Sequence, residues 1–346
     1  MTKWMETEGP LKAYILSSRI RLARNFAEYP FPMAMNSEGA RHLIRDIRVN
    51  VYEKTDAFRK NHQFIEMDSL KPLERHLLVE KHLTSAEFMN GSLPGAILLN
   101  GDESVSVMIN EEDHLRIQCL LPGLQLSRAW ELASSMDEYM DEMMTYAFDD
   151  RLGYLTSCPT NLGTGLRASV MMHLPALTLT GTMDGILQAA TRIGLAVRGL
   201  YGEGSEAHGY MYQISNQLTL GRREQEIIDT LADVAGQIAS QERKARENLI
   251  RNNRHELEDR VWRSYGTLIH ARILSTKEAL ERLSDLRMGI ETGLIHDLNM
   301  EQIDELLFRI QPAFLQSAFG QELSPAQRDE KRAEWVRERL TVKGDE

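Results

Sequence analysis

The periodicity of apolar residues changes once along this 346-residue chain, near Gly221, and that change constrains the fold more than any single motif. Before it, Ala13 to Leu22 reads as a strand, Val105, Val107 and Ile109 alternate with period two, and Tyr210 to Asn216 does the same. Glu38 to Glu53, Leu73 to His82, Met136 to Phe148 and Thr182 to Ile193 read as helices, and Gly153 to Ser157 as a strand. After it, Ile227, Ile228, Leu231, Val234 and Ile238 recur at helical spacing in long charged segments. Arg222 to His255 suits a coiled coil or a helical bundle, and thinning of its apolar repeat after Ile238 favours the bundle. Ser275-Thr276-Lys277-Glu278 and Ser324-Pro325-Ala326-Gln327 have the form of capping boxes that start further helices. The expected organisation is an α+β body over residues 1–224 and an all-α body over residues 225–346.

With 42% hydrophobic and 26% charged residues, the chain has ordinary globular composition. It has no apolar leader and nowhere 18 apolar residues in succession, so it is expected to be neither secreted nor membrane-spanning. Two cysteines, Cys119 and Cys158, make no disulfide framework and have no zinc spacing, in keeping with a cytoplasmic location. A formal charge of −11 argues against direct binding of nucleic acid and suits basic protein substrates.

Four stretches carry potential chemistry. Cys158-Pro159-Thr160-Asn161-Leu162-Gly163-Thr164-Gly165-Leu166-Arg167 joins a thiol to a glycine-rich turn ending in a guanidinium. Taken alone it is an ordinary turn with a cysteine in it. Arg19 and Arg21 lie on one strand face, where two guanidinium groups can fork onto phosphate oxygens. Between the strands around Val105–Ile109 and Leu115–Leu120, the segment Asn110 to His114 forms an acidic hairpin connection with Glu111, Glu112 and Asp113, followed by Arg116. Near the C-terminus, Arg328 and Arg332 share a helical face behind the cap at Ser324, an arrangement able to hold an anion or to be a solvated surface.

The cysteine stretch resembles the active-site motif of the phosphagen (guanidino) kinases. Ser17-Ser18-Arg19-Ile20-Arg21, Asn110-Glu111-Glu112-Asp113-His114-Leu115-Arg116 and Arg198-Gly199-Leu200-Tyr201-Gly202-Glu203 are similar to three further motifs of that family, in the same order. The resemblance implies an antiparallel sheet flanked by helices, ATP and Mg²⁺ as cofactors, and no protein metal site. It further implies Glu112, Glu203 and Cys158 as catalytic residues, and Ser17, Arg19, Arg21, Arg116, Arg167 and Arg198 as nucleotide ligands. Arg328-Asp329-Glu330-Lys331-Arg332-Ala333 is similar to the phosphoarginine-binding motif of the bacterial protein arginine kinases, the McsB family, which implies an allosteric role for Arg328, Asp329, Arg332 and Ala333. Small-molecule phosphagen kinases carry a helical domain before the first arginine pair, whereas 16 residues precede Ser17, and this points to arginine on a protein surface as substrate. The McsB resemblance also implies the activator McsA, the heat-shock repressor CtsR, the ClpC-ClpP protease and a homodimer or larger assembly as partners.

Arginine's guanidinium is a cation with pKa above about 12 and a poor nucleophile, so its attack requires carboxylates that orient it and accept a proton. The chain has neither a Gly-x-x-x-x-Gly-Lys-Ser/Thr loop nor a His-Arg-Asp loop, and on this expectation clustered arginines carry the phosphate chemistry instead. Two alternatives stay open on sequence: a kinase for free arginine, and a non-catalytic phosphoarginine-reading adaptor.

Overall fold

The alternating run Ile15–Arg24 (β1) lies in the middle of an eight-stranded sheet in the computed structural model, which describes Trp4, residues 8–199 and residues 208–341. The other strands are β2 (His62–Glu66), β3 (Ala96–Asn100), β4 (Val105–Ile109), β5 (Leu115–Pro122), β8 (Leu166–His173), β9 (Leu195–Gly199) and β10 (Met211–Asn216). A two-stranded ribbon, β6 (Phe148–Asp149) and β7 (Gly153–Tyr154), stands apart. The order β2-β3-β4-β5-β1-β8-β10-β9 has every neighbouring pair antiparallel.

Period-two alternation divides this sheet into two chemically different faces. On one, Ile20, Leu22, Val107, Ile117, Val170 and Ile214 are buried. They share a core with two helices, α1 (Ser37–Ile47) and, after α2 (Asp56–Asn61), α3 (Pro72–Glu80) and α4 (Ala86–Met89), with α5 (Leu126–Met143). The opposite face carries the polar and cationic residues, with α3 and α4 standing at its β2–β4 end around Leu83, Phe88 and Met108. After β8 come α6 (Pro175–Leu179) and α7 (Met183–Arg192).

Helix α8 (Glu224–Asn252) corrects one expectation. Its stripe of Ile227, Ile228, Leu231, Ala235 and Ile238 packs into the core of the sheet, not into a bundle. Each isoleucine or leucine of this stripe removed from water contributes roughly 1.5–3 kcal/mol, and the sheet's apolar face offers the surface that does so. The separate helical core lies beyond it, in α9 (Arg254–His270), α10 (Thr276–Glu291), α11 (Met300–Arg309), α12 (Pro312–Phe319) and α13 (Pro325–Leu340). Ser324 and Gln327 form the reciprocal capping box of α13, and Ser275 accepts from Glu278 N–H at the start of α10. Leu16, Met171 and Met211 of the sheet join this helical core. The buried Arg287 of α10 ties the two together by donating to Lys12 O (2.7 Å) and Ala13 O (2.8 Å) and pairing with Asp304 (2.9 Å).

Candidate active site

The polar sheet face is built by register. Arg21 lies opposite Gln118 on β5 and Arg167 on β8, Arg116 lies opposite Ala23, and Arg198 lies opposite Gln213, which itself faces Met171. These partners share one side of the pleat, so Arg19, Arg21, Arg116, Arg167 and Arg198 converge from four strands on a cleft of about 760 Å³. Arg19 donates to Gln213 (3.2 Å), and Arg167 to the Ser215 hydroxyl (3.4 Å). Burial, then Arg116 and Arg167, push the Arg19 guanidinium down to about 10. Arg21 is lowered further, by burial and by the positive charges of Arg19, Arg116 and Arg167, and its buried Nε has no hydrogen-bond acceptor among the described residues. Such a face is complementary to a polyanion.

One edge of the cleft is the acidic hairpin between β4 and β5. Asn110 turns the chain with φ of +64°, and its side-chain amide donates to Ala40 O and Pro94 O, which fixes the turn. Glu111 pairs with Arg116 at 2.5 Å and accepts from the Ser85 hydroxyl at 2.6 Å. Burial opposes its charge, but Arg116 and these hydrogen bonds hold its carboxyl below the ordinary range. Glu112 stands at the rim of the cleft, open to solvent on one side, and shifts the other way, raised by partial burial of its carboxyl and by the neighbouring Asp113 and Glu111 charges. Two adjacent carboxylates thus have opposite tendencies, and Glu112 is the more basic of the two, the one better suited to accept a proton.

The cysteine loop closes on this hairpin. Asn161 Nδ2 lies 3.5 Å from Glu112 Oε2, and a second cavity of about 220 Å³ brings together Arg21, Glu112, Cys158, Asn161 and Arg167. Cys158 Sγ is 3.0 Å from the Thr160 hydroxyl. Gly163 and Gly165 have φ of +102° and +63°; a Cβ on the first would meet Leu220 Cα at 2.8 Å, and on the second Ala23 O at 2.6 Å. Only glycine lets the loop lie this close to its neighbours. The other thiol, Cys119, is buried on the apolar face, and burial pushes it up to about 12.

Ser17 lies at the far end of β1, in an apolar cavity of about 280 Å³ shared with Arg19, His82, Met171 and Phe308. Sequence reasoning missed His82, which lines both this cavity and the arginine cleft. It has φ of +60° just after α3, and burial, then Arg19, lower its ring to about 4. A histidine in an unremarkable helical stretch gives no sequence signal of that position. Glu203 lies outside the described residues.

The C-terminal motif lies on α13. Arg332 is 1% exposed and donates to Ile310 O (2.8 Å), Leu274 O (2.8 Å) and Asp329 (2.5 Å). Ala333 is fully buried, whereas Arg328 and Asp329 are half-buried. The expectation that Arg328 and Arg332 stand side by side is therefore modified: Arg332 turns inward and binds the corner between α11 and α12.

Comparison with known proteins agrees with this geometry. Residues 44–245 match the ATP:guanido phosphotransferase C-terminal catalytic domain, and residues 254–346 match the protein-arginine kinase McsB C-terminal domain. A protein-arginine kinase of Brevibacillus brevis is 51% identical over 99% of this chain and 96% of its own length. This chain belongs to the protein-arginine kinase family. Its relatives include the protein-arginine kinase of Moorella thermoacetica, 50% identical over 98% of this chain and 97% of the relative. Among solved structures, a lombricine kinase superposes with a TM-score of 0.59 and 25% identity, covering 69% of this chain and 68% of that one. The antiparallel sheet flanked by helices is thus the phosphagen-kinase fold, followed here by the family's own helical region.

Proposed function

We propose that this protein transfers the γ-phosphoryl group of ATP to the guanidinium of arginine side chains in proteins. The observation that carries the reading is the convergence of five arginines on one sheet face beside a hairpin whose Glu112 is raised. Arg19, Arg21, Arg116, Arg167 and Arg198 hold the triphosphate, and Mg²⁺ arrives on its phosphate oxygens. Ser17 and the apolar cavity behind it take the base. Glu112, with Glu203 and the Cys158 thiolate, grips the substrate guanidinium. Glu112 takes a proton from the attacking nitrogen, whose lone pair bonds to the γ-phosphorus as the bond to ADP breaks. Positively charged groups fixed in place before the reaction stabilise the charge spread over the transferring group, with little reorganisation.

We place the division between a catalytic body and a helical body at the break near Asn253, not at residues 224 and 225, because most of α8 belongs to the sheet's core. Arg328, Asp329, Arg332 and Ala333 are retained as the phosphoarginine-binding motif, with Arg328 and Asp329 as its accessible part. Titration of the full chain with phosphoarginine is expected to show binding that Arg328→Ala removes while basal turnover survives. Protein substrates, the activator McsA, CtsR, ClpC-ClpP, self-association and a cytoplasmic location belong to the same reading; among the described residues no helix is long and apolar enough to cross a membrane. The direct comparison of substrates is ADP formation with free arginine against an arginine-bearing protein. Turnover with the protein is expected, and turnover confined to free arginine would move the assignment to a small-molecule kinase.

A further inference from the structure

Glu112 and Cys158 come from segments distant in sequence, and one buried hydrogen bond joins their immediate neighbours. Asp113 Oδ1 accepts from Ser157 N–H at 2.6 Å, so Glu112 and Cys158 are each the next residue along from one of its ends. The Asp113 carboxylate, 2% exposed, needs its own orienting partner, and Asn25 supplies it. Asn25 is 1% exposed and lies immediately after β1. Its Nδ2 donates to Asp113 Oδ1 (2.6 Å) and Leu155 O (3.1 Å), and its Oδ1 accepts from His114 N–H (2.8 Å). Its backbone carbonyl accepts from Ala147 N–H (2.7 Å). These partners admit one orientation of the amide, since the nitrogen faces two acceptors and the oxygen faces a donor.

We infer that Asn25 is a positioning residue for the reaction: it aims the Asp113 carboxylate and thereby sets the spacing between Glu112 and Cys158. The proposal rests on the assignment of those two residues to the guanidinium site. Nothing in the motifs quoted above includes Asn25, and neither the arginine cleft nor the smaller cavity beside Cys158 is lined by it.

Asn25→Asp is the sharpest test because it keeps shape and reverses polarity at one atom. An oxygen then faces Asp113 and Leu155 O, and the nearest stable arrangement is a protonated acid that regains a donor. The other titratable groups at this point are Asp113 and the His114 ring on the hairpin, and Arg24, which pairs with Asp137; the 147–157 segment meets it through Ala147 N–H and Leu155 O. Turnover by Asn25→Asp is expected to fall about 10- to 100-fold at pH 8, the scale of a displacement near 1 Å, with the KM for ATP unchanged. Relative to wild type, its rate should recover as the pH falls from 8 to 6, whereas Asn25→Ala should show a similar loss and no recovery. On a Glu112→Gln background, Asn25→Ala should add less than its loss in the wild type. Wild-type turnover in both Asn25 variants, or equal losses of kcat in the two backgrounds, would overturn the proposal. ATP-induced thermal stabilisation checks folding, and if Asn25→Asp fails that check the comparison of backgrounds with Asn25→Ala decides. Wild-type turnover in Glu112→Gln itself would overturn the site assignment beneath the proposal.

Discussion

Replacing Arg19 with Met should make the nucleotide-free protein more stable and the nucleotide harder to hold. The guanidinium falls from its ordinary value above 12 to about 10, mainly through burial and then through Arg116 and Arg167. Its charge is therefore disfavoured in the fold at every pH below about 10, neutral pH included. At about 1.4 kcal/mol per pH unit the cost is roughly 3 kcal/mol. Solvent screening of this half-buried group and loss of its hydrogen bond to Gln213, worth about 1 kcal/mol, leave a net gain of about 1 kcal/mol. Over a chain of 346 residues that corresponds to roughly 1–2 °C in the melting temperature. The lost charge-assisted bond to phosphate, about 1.5–3 kcal/mol, should weaken ATP about 10- to 100-fold. Thermal unfolding with and without Mg-ATP reads both effects. A variant that melts lower than wild type without nucleotide, and keeps the full stabilisation by ATP, would refute the polyanion reading of this face.

Glu112→Gln should lower turnover by about 10² or more while ATP binding persists, Glu203→Gln should act similarly, and the double variant should be less than additive. Because Glu112 must be ionised to accept a proton and is raised, the acid limb of kcat/KM should lie above the range of an ordinary glutamate. At pH 8 a thiol raised to about 12 is thiolate only to about one part in 10⁴, so Cys158 should alkylate at least about 10²-fold faster than Cys119, and ATP with a guanidino analogue should slow it; equal rates would make Cys158 a packing residue. His82, lowered to about 4, stays neutral in the fold while the unfolded chain takes a proton below about 6.5. Stability should therefore fall as the pH drops through that window, and His82→Gln should flatten the loss in denaturant titrations; an unchanged slope would show that the ring is already protonated in the fold.

The arginine strand and the hairpin were legible because their alternation is regular and their polar residues share one face. Other elements lacked such signals. Helix α5 begins at Leu126, ten residues before the expected Met136, because Gln125 offers no side-chain cap to mark its start. The strand expected at Gly153 to Ser157 is paired only over Gly153–Tyr154, since Asn25 and Asp113 take Leu155 O and Ser157 N–H. Strand β3 is a short run buried on both faces, so it lacks alternation. The stripe on α8 identified a helix correctly, but periodicity says nothing about which partner covers it. Arg332 illustrates a similar limit: its place in a helix is written in the sequence, while the carbonyls of Ile310 and Leu274 that draw it inward come from the α11–α12 and α9–α10 connections. Asn25 and His82 are single polar residues whose partners are assembled only by the fold.

The most direct test of the central claim is the site of the phosphoryl group after turnover. An arginine-bearing protein incubated with this enzyme and Mg-ATP, kept at neutral pH because the phosphorus–nitrogen bond is acid-labile, is fragmented and sequenced by mass spectrometry. Phosphoryl groups are expected on arginine side chains, and to form about 10²-fold or more slowly when Glu112→Gln replaces the wild type. Phosphate found only on serine, threonine or tyrosine, or only on free arginine added as competitor, would contradict the account.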